Sequence, residues 1–165
     1  MKITLFDQKE ISKRNDLIDF MLDTIIHNLS YLYGPYMDSQ ENRDIWKHNN
    51  VYNTGENIKF LIAEDELPLG FIIYSINEDK VLIFREIEIA KQNKTPPLIL
   101  FSLLKELCKE EYDNFECVQG FINKKNEISM KNFMRYASYK IQKENGYYMI
   151  IDREQTKKLK ERIAG

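Results

Sequence analysis

The sequence predicts an α/β domain, a mixed sheet with helices on both faces. Three observations predict it. Between Ile58 and Ala90, three runs of strand-like residues follow one another with only short polar reversals between them. Two stretches, one from about Asn15 and one after Pro97, repeat apolar residues at helical spacing. Near the end, Asn145-Gly146 separates two further strand-like runs, the pattern of a hairpin.

Taken in order, the residues after Met1 read as a short strand. Leu17, Ile18, Met21, Leu22, Ile25, Ile26, Leu29 and Leu32 mark a helix that Gly34-Pro35 stops. Asp38-Ser39-Gln40-Glu41 begins a second helix carrying Ile45 and Trp46. Ile58 to Glu64, Leu69 to Ile76 and Val81 to Ala90 are three strands of an antiparallel meander. Leu100, Leu103, Leu104, Leu107 and Cys108 share one face of the next helix, opposite Lys105, Lys109 and Glu110. The helix lets the following strand, Phe115 to Phe121, lie parallel to the third strand of the meander. A helix from about Asn126 to Tyr136 comes next. Tyr139 to Glu144 and Tyr147 to Ile151 then flank Asn145-Gly146, expected as a primed turn with both central residues at positive φ. Asp152 caps a last, mostly charged helix whose stripe is Leu159 and Ile163, with Gln155 placed for a capping box. The expected order is β-α-α-β-β-β-α-β-α-β-β-α, with one domain over residues 1–152 and a helical extension over 153–165.

Composition narrows the function classes. The 165 residues suit one domain, and 43% apolar content supplies a core. With 24 basic and 26 acidic residues the net charge is −2, so no basic field recruits nucleic acid. Cys108 and Cys117 form no CxxC pair, and His27 and His48 have no companions at ligand spacing. Neither a disulfide framework nor a metal site is expected. The chain opens without a secretion signal and has no bilayer-length apolar segment, so a cytoplasmic location away from membranes is expected.

Three stretches carry a family resemblance. Phe60-Leu61-Ile62-Ala63-Glu64-Asp65-Glu66-Leu67-Pro68-Leu69-Gly70-Phe71-Ile72 resembles the β2–β3 hairpin of the GCN5-related N-acetyltransferases, in which an acidic turn leads to a Gly-hydrophobic pair. Ile87-Glu88-Ile89-Ala90-Lys91-Gln92-Asn93-Lys94, followed by a leucine-rich helix, is similar to their fourth strand, acyl-CoA loop and third helix. Asn123-Lys124-Lys125-Asn126-Glu127-Ile128-Ser129, continuing to Phe133 and Tyr136, resembles their fourth helix. The resemblance runs over roughly residues 58 to 151. It implies a sheet whose fourth and fifth strands splay into a V that holds acetyl-CoA, and transfer of the acetyl group to a primary amine.

Such chemistry needs donors for the CoA pyrophosphate, a donor where negative charge develops, and a base for the ammonium. By the resemblance, the backbone of Ile87 and Ile89 holds the pantetheine arm and Gln92 to Pro97 is the pyrophosphate loop. Thr95 and Pro97 stand where the family places glycines, and prolines have no N–H to give. The remaining donors are the helix dipole, the amides of Asn93, Lys94, Leu98 and Ile99, and the Lys94 ammonium. Thr95-Pro96 reads equally well as an ordinary helix start. Glu86 and Glu88 are the candidate bases. Strict alternation sets both on one face, opposite Arg85, Ile87 and Ile89, and the bulge usual in this family's strand would separate them. Asn126 keeps its family position and is expected at the pantetheine. Phe133 replaces the tyrosine that protonates the departing thiolate; Tyr136, one turn on, reads either as its substitute, were that helix shifted or rotated, or as packing against the last hairpin. Tyr31, Tyr33, Tyr36 and Trp46 fall where the family's acceptor wall lies; they read either as packing or as an aromatic pocket. Two functions stay open: an N-acetyltransferase with an unspecified amine acceptor, or a non-catalytic domain of the same fold that binds a small ligand or a protein. The sequence leaves the oligomeric state open.

Overall fold

Alternating apolar residues of the central strands feed two cores, one on each face of a seven-stranded sheet. The computed structural model describes residues 1–33, 38–90 and 95–164, with the backbone alone for residues 31–33 and 128. The elements are β1 (Lys2–Phe6), α1 (Gln8–Ile11), α2 (Asn15–Tyr33), α3 (Gln40–Lys47), β2 (Lys59–Glu64), β3 (Pro68–Ile76), β4 (Val81–Ile89), α4 (Pro96–Glu111), β5 (Cys117–Asn123), α5 (Glu127–Met134), β6 (Tyr139–Lys143), β7 (Gly146–Ile151) and α6 (Arg153–Ala164). The strands lie in the order β1-β2-β3-β4-β5-β7-β6. Among the described residues only β4 and β5 pair in parallel, joined by α4 as crossover; the other neighbours are antiparallel. This is the expected mixed α/β architecture.

Period two sorts the side chains. Phe60 and Ile62 of β2 stand opposite Ile73 and Phe71 of β3, and all four bury against Leu17, Ile18, Met21 and Ile25 of α2. Leu61, Ile72 and Tyr74 project to the other face, where Ile99, Leu103 and Leu107 of α4 cover them. At the C-terminal end of α4, the buried carboxylate of Glu111 accepts hydrogen bonds from Lys59 Nζ (2.7 Å), Tyr74 Oη (3.0 Å) and Asn114 Nδ2 (2.9 Å). Burial alone would push that carboxyl upward, but these donors hold it below the usual carboxylate range.

Several local readings change. Asp7 and Glu10 form a reciprocal capping box that starts α1, a short helix absent from the expected order. A wide π turn at His48–Tyr52 and a 3-10 turn at Thr54–Glu56 fill the space between α3 and β2. The last hairpin is not primed. Its closing pair is Lys143 with Gly146, so Glu144 and Asn145 are the loop residues, and neither has positive φ. Gly146 is instead demanded by close approach: a Cβ there would collide with the carbonyl oxygen of Ile122 and stand 2.9 Å from Asn123 Cα.

Asp152 Oδ1 caps α6 by accepting from the Gln155 amide. That helix packs on α4 and β5 of its own chain. Its Lys160 ammonium donates to the carbonyls of Tyr112 (2.8 Å) and Phe115 (2.7 Å), just past the C-terminal end of α4.

Candidate active site

The parallel ladder between β4 and β5 runs from Val81 and Cys117 to Phe84 and Gly120, and then ends. Both strands continue, β4 to Ile89 and β5 to Asn123, without pairing again. On its other edge, β4 changes register at the same place. Ile73 of β3 opposes Glu86 and Tyr74 opposes Phe84, so Arg85 is the extra residue of a bulge. A bulge bends its strand and sharpens the twist. Here it turns the second half of β4 away from β5 and opens a cleft of about 1210 Å³ between them. Its walls are residues 84–89 of β4 with Ala90 just beyond it, and 120–123 of β5, with Ile25, Asn28 and Leu29 of α2 and Trp46 of α3 on one side. Leu100 of α4, Asn126 and Phe133 complete the enclosure.

Glu86 opposes Ile73 and Glu88 opposes Phe71, both members of the core beneath α2, so the two carboxylates emerge together on the α2 side. The bulge lies just before Glu86 and leaves the pair on one face; the expectation that it would separate them is corrected. Arg85, placed by strict alternation on the opposite face, is turned by the bulge toward Glu56 and Asn50. Its Nη1 pairs with Glu56 Oε2 at 2.5 Å and its Nε donates to Asn50 Oδ1 at 3.0 Å. Burial pushes the Glu86 carboxyl up to about 8; the charge of Glu88 adds to this and that of Arg85 opposes it. Glu88 Oε2 accepts from Asn28 Nδ2 at 2.8 Å, and the same amide nitrogen donates to the Ile89 carbonyl at 3.0 Å.

Ile87 and Ile89 line the cleft, and their side chains join the core beneath α4. At the pyrophosphate end, Gln92, Asn93 and Lys94 lie outside the described residues. Thr95 is the N-cap of α4 with prolines at the first two helical positions, but its side chain makes no capping bond. The amides of Leu98 and Ile99, expected as phosphate donors, both donate to the Thr95 carbonyl, at 3.2 and 3.3 Å. Pro96 and Pro97 fix a tight first turn that consumes these donors internally. Leu98 turns outward and Ile99 into the core, so neither side chain enters the cleft.

Asn126 lines the cleft while its Oδ1 caps α5 by accepting from the Ser129 amide at 3.2 Å. Phe133 is a wall residue, whereas Tyr136 sits in the turn beyond the end of α5 and is not among the cleft walls. A tyrosine one turn after Phe133 would follow it only on a continuing helix, and α5 stops at Met134. Cys108 is buried beneath α4 and Cys117 lies outside the cleft. Both histidines are exposed, and no cluster of metal-ligating side chains occurs among the described residues. No described helix is long and apolar enough to cross a membrane.

Asn28 and Trp46 gain weight. Asn28 is a polar residue seven after Met21 and three after Ile25, on the otherwise apolar stripe of α2, and that interruption is the signal that marks it. Trp46 joins the cleft wall; the side chains of Tyr31 and Tyr33, and all of Tyr36, lie outside the described residues.

No family model and no curated protein matches the sequence. Solved structures do match the fold. The PaiA N-acetyltransferase from Thermoplasma acidophilum, in complex with coenzyme A, aligns with a TM-score of 0.59 at 14% identity, over 92% of this chain and 99% of that one. Aminoglycoside 6′-acetyltransferase type Ii aligns at 0.66 and 13%, over 92% and 97% of the two chains. The N-acetyltransferase PseH from Campylobacter jejuni, in complex with acetyl coenzyme A, aligns at 0.57 and 15%, over 92% and 99%. The chain therefore has the fold of the GCN5-related N-acetyltransferases, as its sequence resemblance implied.

Proposed function

We propose that this chain is a GCN5-related N-acetyltransferase that acetylates a primary amine from acetyl-CoA. The observation that carries the proposal is the coincidence of the strand bulge, the end of the β4–β5 ladder, and a high-pKa carboxylate on the wall of the resulting cleft. Acetyl-CoA, when bound, supplies the acetyl group activated as a thioester. Backbone of β4 from Ile87 to Ile89 faces the opened edge and would hold the pantetheine arm, with Asn126 and Phe133 on the opposite wall.

Glu86 is the base in this reading. An amine arrives mainly as ammonium at neutral pH, and a carboxylate whose pKa lies near 8 is a far stronger base than an ordinary glutamate. Ionised Glu86 takes one proton from the ammonium; the free amine nitrogen then bonds to the acetyl carbon as the carbon–sulfur bond breaks, and the second nitrogen proton passes to the departing sulfur, giving the amide, the CoA thiol and protonated Glu86. Tyr136 receives no part, because it stands outside the cleft. The phosphate end is weaker than in a glycine-containing loop, since the first turn of α4 keeps its amides for Thr95.

Calorimetric titration with acetyl-CoA, and with free CoA in parallel, tests the proposal. Saturable binding of both, followed by thiol release when amines are added, is expected. No binding at millimolar acetyl-CoA would overturn it in favour of a non-catalytic domain of the same fold.

A further inference from the structure

Beyond Phe84 and Gly120, β4 has lost β5 from one edge and keeps β3 on the other. The Ala90 amide donates to the Leu69 carbonyl at 2.9 Å, on the β3 side. Alternation therefore turns the N–H and C=O of Ile87 and Ile89 to the edge that β5 has left. Those are the groups that would pair with a pantetheine arm. A strand held from one side only is free to shift, and a ligand that pairs with it must first order it.

Asn28 of α2 reaches this edge from the helix layer. Its Nδ2 donates to the Ile89 carbonyl at 3.0 Å and to Glu88 Oε2 at 2.8 Å. The Ile89 carbonyl can only accept, so the nitrogen of the amide must face it. One amide thus grips two consecutive residues of β4, the first by its side chain and the second by its backbone. The outer half of β4 is held between the β3 ladder and this tie to α2. Ile87 lies between the end of the parallel ladder and the tied carbonyl, so the tie also sets where its N–H and C=O stand. A carbonyl oxygen has a second lone pair, which leaves Ile89 able to accept from a ligand as well. We infer that Asn28 is a positioning residue that holds the open edge of β4 in place for an acyl-CoA arm, acting through the Ile89 carbonyl. Its role in binding rests on the acetyltransferase reading; the tie itself does not.

Two variants of nearly unchanged size test the role. Asn28→Leu removes both donors, and Asn28→Asp, when ionised, cannot donate. Each is compared with wild type by calorimetry, using acetyl-CoA and adenosine 3′,5′-bisphosphate, the part of CoA that lacks the arm. Acetyl-CoA should bind both variants at least about fivefold more weakly, the scale of one hydrogen bond's net contribution. The bisphosphate should bind them as it binds wild type, which general damage to the fold would not allow. Without ligand, hydrogen exchange over residues 85–90 should quicken in the variants, while Val81–Phe84, still paired with β5, keeps its protection. Acetyl-CoA affinity within about twofold of wild type, an equal loss for the bisphosphate, or unchanged exchange over residues 85–90 would overturn the inference. Either variant decides the matter if the other does not fold. A wild type that binds no acetyl-CoA would defeat the acetyltransferase reading and this inference with it; wild-type binding that the variants retain would defeat this inference alone.

Discussion

Replacing Glu86 with glutamine should make the protein less active and more stable, and the two effects should separate by pH. Burial moves this carboxyl from the ordinary 4.5 to about 8. The folded state thus keeps a proton that the unfolded state has lost, so between pH 4.5 and 8 folding stability falls as pH rises. At about 1.36 kcal/mol per pH unit the penalty approaches ~5 kcal/mol above pH 8. Glu86 lines an open cleft and keeps partial solvent contact, so about 2–3 kcal/mol is the realistic share. Glutamine has nearly the same shape and no charge. Urea denaturation should show Glu86→Gln and wild type matched at pH 4, with the variant about 2–3 kcal/mol more stable at pH 9. In the acetyl-transfer assay kcat should fall by about a hundredfold or more, and the limb of the kcat/KM profile near pH 8 should vanish. A variant no more stable at pH 9 would refute the burial argument; unchanged activity would refute the base.

Two further predictions concern the scaffold. Gly146→Ala should cost about 2–4 kcal/mol, because its Cβ would force β7 away from the backbone of Ile122 and Asn123. Gly120→Ala, whose Cβ would meet Phe84 Cβ at 3.7 Å, should stay within about 1 kcal/mol; thermal melting of the pair separates a close approach from ordinary glycine loss. Glu111→Gln should cost about 1–3 kcal/mol at pH 7 by weakening the bonds to Lys59, Tyr74 and Asn114. Because those bonds depress the carboxyl, the wild type loses their stabilisation as pH falls below the ordinary carboxylate range. Urea denaturation at pH 7 and pH 3 should therefore show the gap between variant and wild type shrinking in acid.

The order of elements, the short α1 apart, was legible because period two and period 3.6 leave different marks, clearest where α2 and α4 each bury one face against the sheet. That Glu86 and Glu88 share one face of β4 was legible from alternation as well. What escaped the sequence depends on pairing rather than on composition. Arg85-Glu86-Ile87-Glu88 reads as unbroken alternation, and nothing in it says that β3 skips a residue opposite Arg85. Asn145-Gly146 matches a primed turn, yet the loop is Glu144-Asn145 and the glycine answers to the neighbouring strand. Tyr136 follows Phe133 at helical spacing in the sequence, whereas α5 ends at Met134 and Tyr136 stands in the turn beyond it.

The bulge matters most, because one extra residue does three jobs at once. It ends the β4–β5 ladder, which makes the cleft. It keeps Glu86 and Glu88 on the α2 side, in register with Ile73 and Phe71. It also turns Arg85 toward Glu56 and Asn50, a cluster tied in turn to Gln8, which donates to the Asn50 carbonyl. The last of these explains the electrostatics. Had alternation held, the guanidinium would sit across the sheet, leaving Glu56 without its cation. With Arg85 on the same side but committed to Glu56, its attraction only partly offsets the burial of Glu86, and the carboxyl stays basic. A bidentate Arg85–Glu86 pair would have given the opposite result, an ordinary or depressed carboxylate useless as a base near neutrality. The raised pKa of Glu86 therefore follows from strand register, and from the same bend that opens the cleft.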